Sequence, residues 1–173
     1  MLPRRVLILG GAASGKSSWA EDFTKVYGKP TVYIATGQAF DDEMTKKIKI
    51  HRNRRDSTWQ TKEAPLALDQ ALFDVDAGEV CLVDCATIWL SNHMLAENDL
   101  EQAQQKLIIA LDRCRAPVLV VSNEVGQGIV PDNRLARRFR EAQGRLNIAL
   151  ATQADLVVQV IAGLPQVLKG MLP

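Results

Sequence analysis

An α/β fold, a mostly parallel sheet flanked by helices, is predicted by three features of this 173-residue chain. Short apolar runs alternate with helix-like segments from one end to the other. Five of these runs are almost continuously apolar, as strands buried on both faces must be, and such strands belong to parallel sheets covered by helices. The first run leads straight into a glycine-rich turn and a helix start, the unit that opens many such sheets.

That first strand is Val6–Leu9. It runs into Gly10-Gly11-Ala12-Ala13-Ser14-Gly15-Lys16-Ser17, and a helix-like segment follows from Ser18 to Tyr27. The octet matches G-x-x-x-x-G-K-[ST] completely and in the required setting of strand, turn and helix N-terminus. Gly10 and Gly15 let the backbone curl so that successive N–H groups face an anion, above the positive end of the helix dipole. Lys16 is placed to reach the β- and γ-phosphates, and the Ser17 hydroxyl to ligate Mg²⁺. The expectation is a P-loop NTPase fold that binds a nucleoside triphosphate.

Thr31–Ala35 reads as the second strand, with a weaker one near Thr58–Lys62. Between them, Asp41–Arg55 begins with acids and ends with cations, as a helix dipole prefers. Met44, Ile48, His51 and Arg55 share one face of that helix. On pattern alone His51 is a surface histidine on a solvated basic helix. The chemical alternative is an imidazole that attacks phosphorus, with Arg52, Arg54 and Arg55 screening the phosphate charge and holding the ring neutral. His93 lacks such company and reads as structural.

Val80–Asp84 ends an apolar strand on a carboxylate, the position from which P-loop proteins hold the water shell of Mg²⁺. Asp74 and Asp76 precede that strand at its wrong end and read as exposed turn residues. Asp99 caps a helix carrying Leu107, Ile108, Leu111 and Cys114, and Pro117 then opens the strand Val118–Ser122. After Pro131, Asp132 or Asn133 starts a long helix through about Ala151, with Leu135, Phe139, Leu146 and Leu150 as its core stripe. Gly144 marks a bend or a close approach in it. Leu156–Ile161 is the last strand, and little beyond Gly163-Leu164-Pro165 asks for interpretation. Ligands of open α/β sheets bind beyond the carboxyl ends of the strands, which directs attention to Gly10–Ser17, Thr36–Asp42, Asp84–Ala86 and Asn123–Pro131.

Composition narrows the function. With 47% hydrophobic and 24% charged residues, the chain is expected to form one globular domain over residues 1–173. A net charge of +1 supplies no field for nucleic acid or an anionic membrane. The apolar run after Arg4 and Arg5 is too short for a signal peptide, and none approaches a membrane span. Cys81, Cys85 and Cys114 form no CxxC pair and read as reduced core cysteines of a cytoplasmic protein. Where guanine-reading GTPases carry Asn-Lys-x-Asp, this chain has Ser122-Asn123-Glu124-Val125. A small-molecule phosphotransferase is thus favoured over a regulatory GTPase or transport ATPase.

Further ordered motifs extend the phosphate loop: Tyr33-Ile34-Ala35-Thr36; Asp42-Glu43-Met44 with His51 and Arg55; and Trp59-x-Thr61-x-Glu63-x-Pro65. Val83-Asp84-Cys85-x-Thr87-x-Trp89-Leu90-x-Asn92 and Ser122-Asn123-Glu124-Val125-Gly126-x-Gly128-Ile129-Val130-Pro131-x-Asn133-x-Leu135-Ala136-Arg137 follow. With these the chain resembles the bifunctional adenosylcobinamide kinase/adenosylcobinamide-phosphate guanylyltransferase family of cobalamin biosynthesis.

The resemblance implies phosphorylation of the aminopropanol hydroxyl of adenosylcobinamide by ATP or GTP. GMP is then transferred from GTP, through a guanylylated histidine at the position of His51, to the new phosphate. It implies a RecA-like fold assembled as a homotrimer with active sites near subunit boundaries. Gly10, Gly11, Ala12, Ala13, Ser14, Gly15, Lys16 and Ser17 would hold the triphosphate, with Ala35, Thr36 and Gly37 beside the nucleotide. Arg52, Asn53, Arg54, Arg55, Glu63 and Asp84 match the remaining nucleotide-site positions. The family commonly has arginine between Ala12 and Ser14; this chain has Ala13, which implies a weaker hold in one nucleotide-binding mode. Glu124 reads either as a catalytic or corrinoid-contacting acid or as part of a rigid connection over the sheet edge. Arg134, Arg137, Arg138, Arg140 and Arg145 are either solvated or serve a neighbouring subunit's phosphates. The alternatives to a bifunctional enzyme are a kinase without guanylylation and a nucleotide-gated binding module.

Overall fold

A computed structural model of the chain describes residues 1–37 and 59–173; the helix expected over Asp41–Arg55, with His51, Arg52, Asn53, Arg54 and Arg55, lies outside the described residues. Among the described residues one sheet contains β1 (Arg5–Gly10), β2 (Thr31–Ala35), β3 (Trp59–Glu63), β4 (Val80–Asp84), β5 (Val118–Asn123), β6 (Leu156–Ile161) and β7 (Leu164–Lys169). Their order across the sheet is β3-β2-β4-β5-β1-β6-β7. Every neighbouring pair is parallel except β6 with β7. The described helices are α1 (Lys16–Thr24), α2 (Leu68–Phe73), α3 (Ala86–Leu95), α4 (Leu100–Arg113) and α5 (Arg134–Gln153).

Alternation along the strands divides the core into two layers. Leu7, Val32, Ile34 and Val83 face one way, against Leu72 of α2, Leu90 of α3, Leu107 of α4 and Leu146 of α5. Val6, Ile8, Leu82 and Val121 face the other way, against Ala20 and Phe23 of α1. Four described helices thus cover one face and α1 packs on the other. None of the described helices is long and apolar enough to cross a membrane.

Local chemistry sets the helix boundaries. The Asp99 carboxylate accepts from the N–H groups of Glu101 and Gln102, both at 3.0 Å, and starts α4. Asn133 starts α5 by accepting from Ala136 N at 2.7 Å. α1 begins at Lys16 rather than Ser18 and tightens into a 3₁₀ turn over Lys25–Tyr27 before Gly28.

Three readings of the C-terminal third are corrected. Leu135 is 54% exposed and no part of the core; it is in phase with Phe139, Leu146 and Leu150 but lies in the first turn, before the buried stretch of α5 begins at Ala142. Gly144 marks no close approach: the helix runs through it without interruption, and a Cβ there would meet nothing within 4 Å. The residues beyond Gly163 form β7, exposed along its whole length. Ala162 (φ 52°) and Gly163 (φ 79°) make the tight turn that joins it to β6.

Candidate active site

Gly10 ends β1, and the chain reverses through Ala13 (φ 55°) and Gly15 (φ 90°) before α1. Gly15 is the N-cap and supplies no side chain, so the first-turn N–H groups are left for an incoming anion. Lys16 Nζ donates to Gly11 O at 3.1 Å, which folds the cation over its own loop. Ser17 stands half-buried in the first turn of α1. The glycines permit close contact with the β6–β7 hairpin: a Cβ on Gly10 would lie 2.8 Å from Val160 O, and one on Gly15 3.1 Å from Gly163 Cα. Gly163 N donates to Ser14 O at 2.8 Å and braces the curl from behind.

Strand register places the acidic candidates along the same carboxyl edge. Glu63 pairs with Ala35, Ala35 with Asp84, and Asp84 with Val121; Gly10 pairs with Asn123. Glu63 is exposed, whereas Asp84 is half-buried and accepts from the Tyr33 hydroxyl at 3.0 Å through Oδ2. Thr36 is buried, and its polar groups are spent on scaffolding. Its N–H donates to Asp84 O at 3.2 Å, and its hydroxyl donates to Cys85 O at 2.8 Å and accepts from Cys85 N at 2.9 Å. Asn92 Nδ2 donates to Thr36 O and Pro65 O, both at 2.9 Å, and so ties the ends of β2 and β3 to α3. Gly37, half-buried, is the last residue described on this side.

Burial, and then the charge of Asp84, push the Cys85 thiol up to about 11. Burial likewise raises Cys81. Neither is a nucleophile at neutral pH. His93 is structural: Nε2 lies 3.2 Å from Leu66 O, Nδ1 3.0 Å from Asn98 Nδ2, and the ring packs edge-on against Trp89.

The loop that leaves β5 is fastened at both ends. Glu124 N donates to Gly10 O at 3.1 Å, joining its start to the phosphate curl. One Glu124 carboxylate oxygen accepts from Gly126 N and shapes the turn. Arg140 of α5 donates to the carbonyls of Gly126, Gly128 and Ile129, and Arg137 to those of Pro131 and Asp132. Arg145 lies 3.9 Å from Glu141 on the exposed side of the helix. Beneath the loop, buried Ser122, Gln143 and Asn147 bond to one another, and Asn147 Nδ2 donates to Asn123 O at 3.1 Å. Asn123 Oδ1 is buried without a partner, one strand away from the curl.

Sequence reasoning gave no role to Tyr33, Asn92 or Gly163, and it read Arg140 as solvated or as serving a neighbouring subunit's phosphates, whereas its guanidinium donates to the carbonyls of its own chain's loop. Tyr33 had a readable signal, since a phenol within an apolar strand needs a polar partner. So did Ala162-Gly163, as a hairpin turn. The contacts of Asn92 and Arg140 had none, because their partners lie elsewhere in the chain.

A family model described as cobinamide kinase / cobinamide phosphate guanyltransferase matches residues 6–168. The chain belongs to this family. A bifunctional adenosylcobalamin biosynthesis protein, CobP, of Pseudomonas aeruginosa is 43% identical over 96% of this chain and 98% of its own length. The CobU protein of Salmonella typhimurium, described in the same words, is 42% identical over 92% of this chain and 96% of its own. Among solved structures, the RadB recombinase superposes with a TM-score of 0.54 at 17% identity, covering 91% of this chain and 74% of that one. The P4 protein of bacteriophage phi6, in complex with ADP, has a TM-score of 0.50 at 10% identity, over 96% of this chain and 54% of that one. These two likenesses bear on the fold, which is that of RecA-like P-loop NTPases. The curl at Gly10–Ser17, with its open first-turn N–H groups, has the chemistry of an anion site.

Proposed function

We infer that this chain performs both reactions of its family at one triphosphate site in a single domain. It first phosphorylates the aminopropanol hydroxyl of adenosylcobinamide with ATP or GTP. It then transfers GMP from GTP, through His51, to the resulting phosphate. The carrying observation is the glycine-walled curl, with Lys16 over it, on the same carboxyl edge as Asp84.

In the kinase step the substrate hydroxyl oxygen attacks the γ-phosphorus, its proton passes to solvent, and nucleoside diphosphate leaves. Lys16 and the loop N–H groups, Gly10 to Ser17, hold the phosphate chain and offset its growing charge. In the transferase step an imidazole nitrogen of His51 attacks the α-phosphorus of GTP and pyrophosphate leaves. An oxygen of adenosylcobinamide phosphate then breaks the phosphorus–nitrogen bond, giving adenosylcobinamide-GDP and regenerating the imidazole. Arg52, Asn53, Arg54, Arg55 and Glu63 join Ala35, Thr36 and Gly37 around the nucleotide in this reading.

The donor set suits Mg²⁺. Ser17 and Asp84 offer hard oxygen ligands, and no group of three or more His, Cys, Asp or Glu side chains forms a cage among the described residues. That fits an ion held mainly by phosphates and water. When bound, Mg²⁺ would neutralise charge on the triphosphate. A homotrimer accords with the exposed apolar side chains of the edge strand, Leu164 at 71% and Leu168 at 53%. A cytoplasmic location accords with three buried, unpaired cysteines.

The test is incubation with GTP labelled at the α-phosphate, followed by product analysis with adenosylcobinamide. Acid-labile, alkali-stable label on the protein is expected, and it should vanish in His51→Ala. Label that survives this substitution overturns the assigned nucleophile. Release of nucleoside diphosphate alone would leave a kinase, and no turnover would leave a binding module.

A further inference from the structure

We propose that the loop 124–131 is the wall against which the corrin ring of the substrate rests, with Ile129 and Val130 as its apolar contacts and Arg140 as the residue that positions them. The proposal rests on the cobinamide activity inferred above and says where that substrate sits.

Ile129 is 97% exposed and Val130 67%, an apolar pair standing in water. Such a tip would ordinarily be mobile, yet here its backbone is pinned. Arg140 donates to three loop carbonyls, reaching Ile129 O at 3.1 Å, and Arg137 donates to Pro131 O at 2.9 Å. With these carbonyls turned toward the arginines, the Ile129–Val130 tip offers apolar side chains outward. A surface held in shape beforehand loses little entropy when a rigid ligand lands on it.

Position supplies the occupant. The loop leaves β5 beside the phosphate curl, through the 3.1 Å bond from Glu124 N to Gly10 O. The hydroxyl to be phosphorylated lies at the end of a flexible arm of a large, stiff macrocycle whose periphery carries many methyl groups. When that hydroxyl meets the γ-phosphate, the ring must settle within one arm's length, on this edge of the sheet. The amide arms remain in water, while methyl groups of the ring's periphery meet the apolar tip.

The experiment measures cobinamide binding by equilibrium dialysis, read from corrin absorbance, alongside nucleotide affinity and subunit number. The proteins are wild type, the double variant Ile129→Ser/Val130→Ser, and Arg140→Lys. Losing two apolar contacts should weaken cobinamide binding about tenfold or more, with nucleotide affinity and subunit number unchanged. Arg140→Lys should raise KM for cobinamide with little change in kcat or in KM for nucleotide, because lysine cannot span three carbonyls. Unchanged cobinamide affinity in the double variant overturns the proposal. So does a change of subunit number, which would make the tip a contact between copies of the chain. If the wild-type protein binds no cobinamide, the functional reading falls and the loop assignment with it; wild-type binding with an indifferent variant sinks the loop assignment alone.

Discussion

Asp84 takes its orientation in part from Tyr33, whose hydroxyl donates to Oδ2 at 3.0 Å from the neighbouring strand. Tyr33→Phe removes one hydrogen bond to a charged acceptor, worth about 1.5 kcal/mol or more. The expected result is a roughly tenfold higher Mg²⁺ requirement for nucleotide binding with the fold intact, read by titrating Mg²⁺ against a fluorescent nucleotide. An unchanged requirement would show that the bond only packs the strand ends. At Ala13 the left-handed backbone already carries a Cβ, and the side chain is exposed. Ala13→Arg therefore adds no new backbone strain and restores a cation beside the phosphates. Triphosphate affinity should rise by up to about fivefold at low salt, and the gain should shrink as salt is added. Lys16 and Asp84 were legible as residues because motif and strand end name them. Tyr33 as a partner of Asp84 was not, because which side chains meet across two strands depends on their register.

The phosphate curl and the β6–β7 hairpin work as one unit. A methyl on Gly10 would meet the backbone oxygen of Val160, which has no rotamer to yield. Gly10→Ala should cost about 1–3 kcal/mol in urea unfolding and abolish nucleotide binding. Gly163→Ala is the control: φ is 79° but the space is open, so it costs only the left-handed penalty of about 1 kcal/mol and leaves binding largely intact. Equal losses in the two variants would mean that the hairpin contact does not matter. The apolar runs announced β1, β2, β4, β5 and β6, because burial on both faces writes itself into consecutive residues. β7 was silent for the opposite reason, since an edge strand exposed on both faces needs no pattern. Helices α2 and α3 escaped as well. α2 is only six residues long, and α3 opens at Cys85, which makes no side-chain cap.

Across the whole molecule the buried thiols and the bare edge strand make separate predictions. Burial raises the Cys85 thiol to about 11, so it stays protonated at pH 8. Cys81, Cys85 and Cys114 are all buried, so alkylation with iodoacetamide should leave them unmodified until the protein is unfolded, as read by mass spectrometry. Leu164→Glu with Leu168→Glu should lower the subunit number in sedimentation if β7 lies between copies, since a buried, unpaired carboxylate opposes association. Unaltered sedimentation would place the contact elsewhere. The amino-acid order alone was enough for the sheet-and-helix class and the anion curl, because both are written in neighbouring residues: a run of apolar side chains, or eight positions in a row. It was not enough for the strand order that sets β5 between β1 and β4, for the bond from Thr36 to Cys85, or for the arginines that pin the loop beside Gly10. Those depend on which surfaces bury one another once the whole chain has condensed, and that is a property of the packed core rather than of any local stretch.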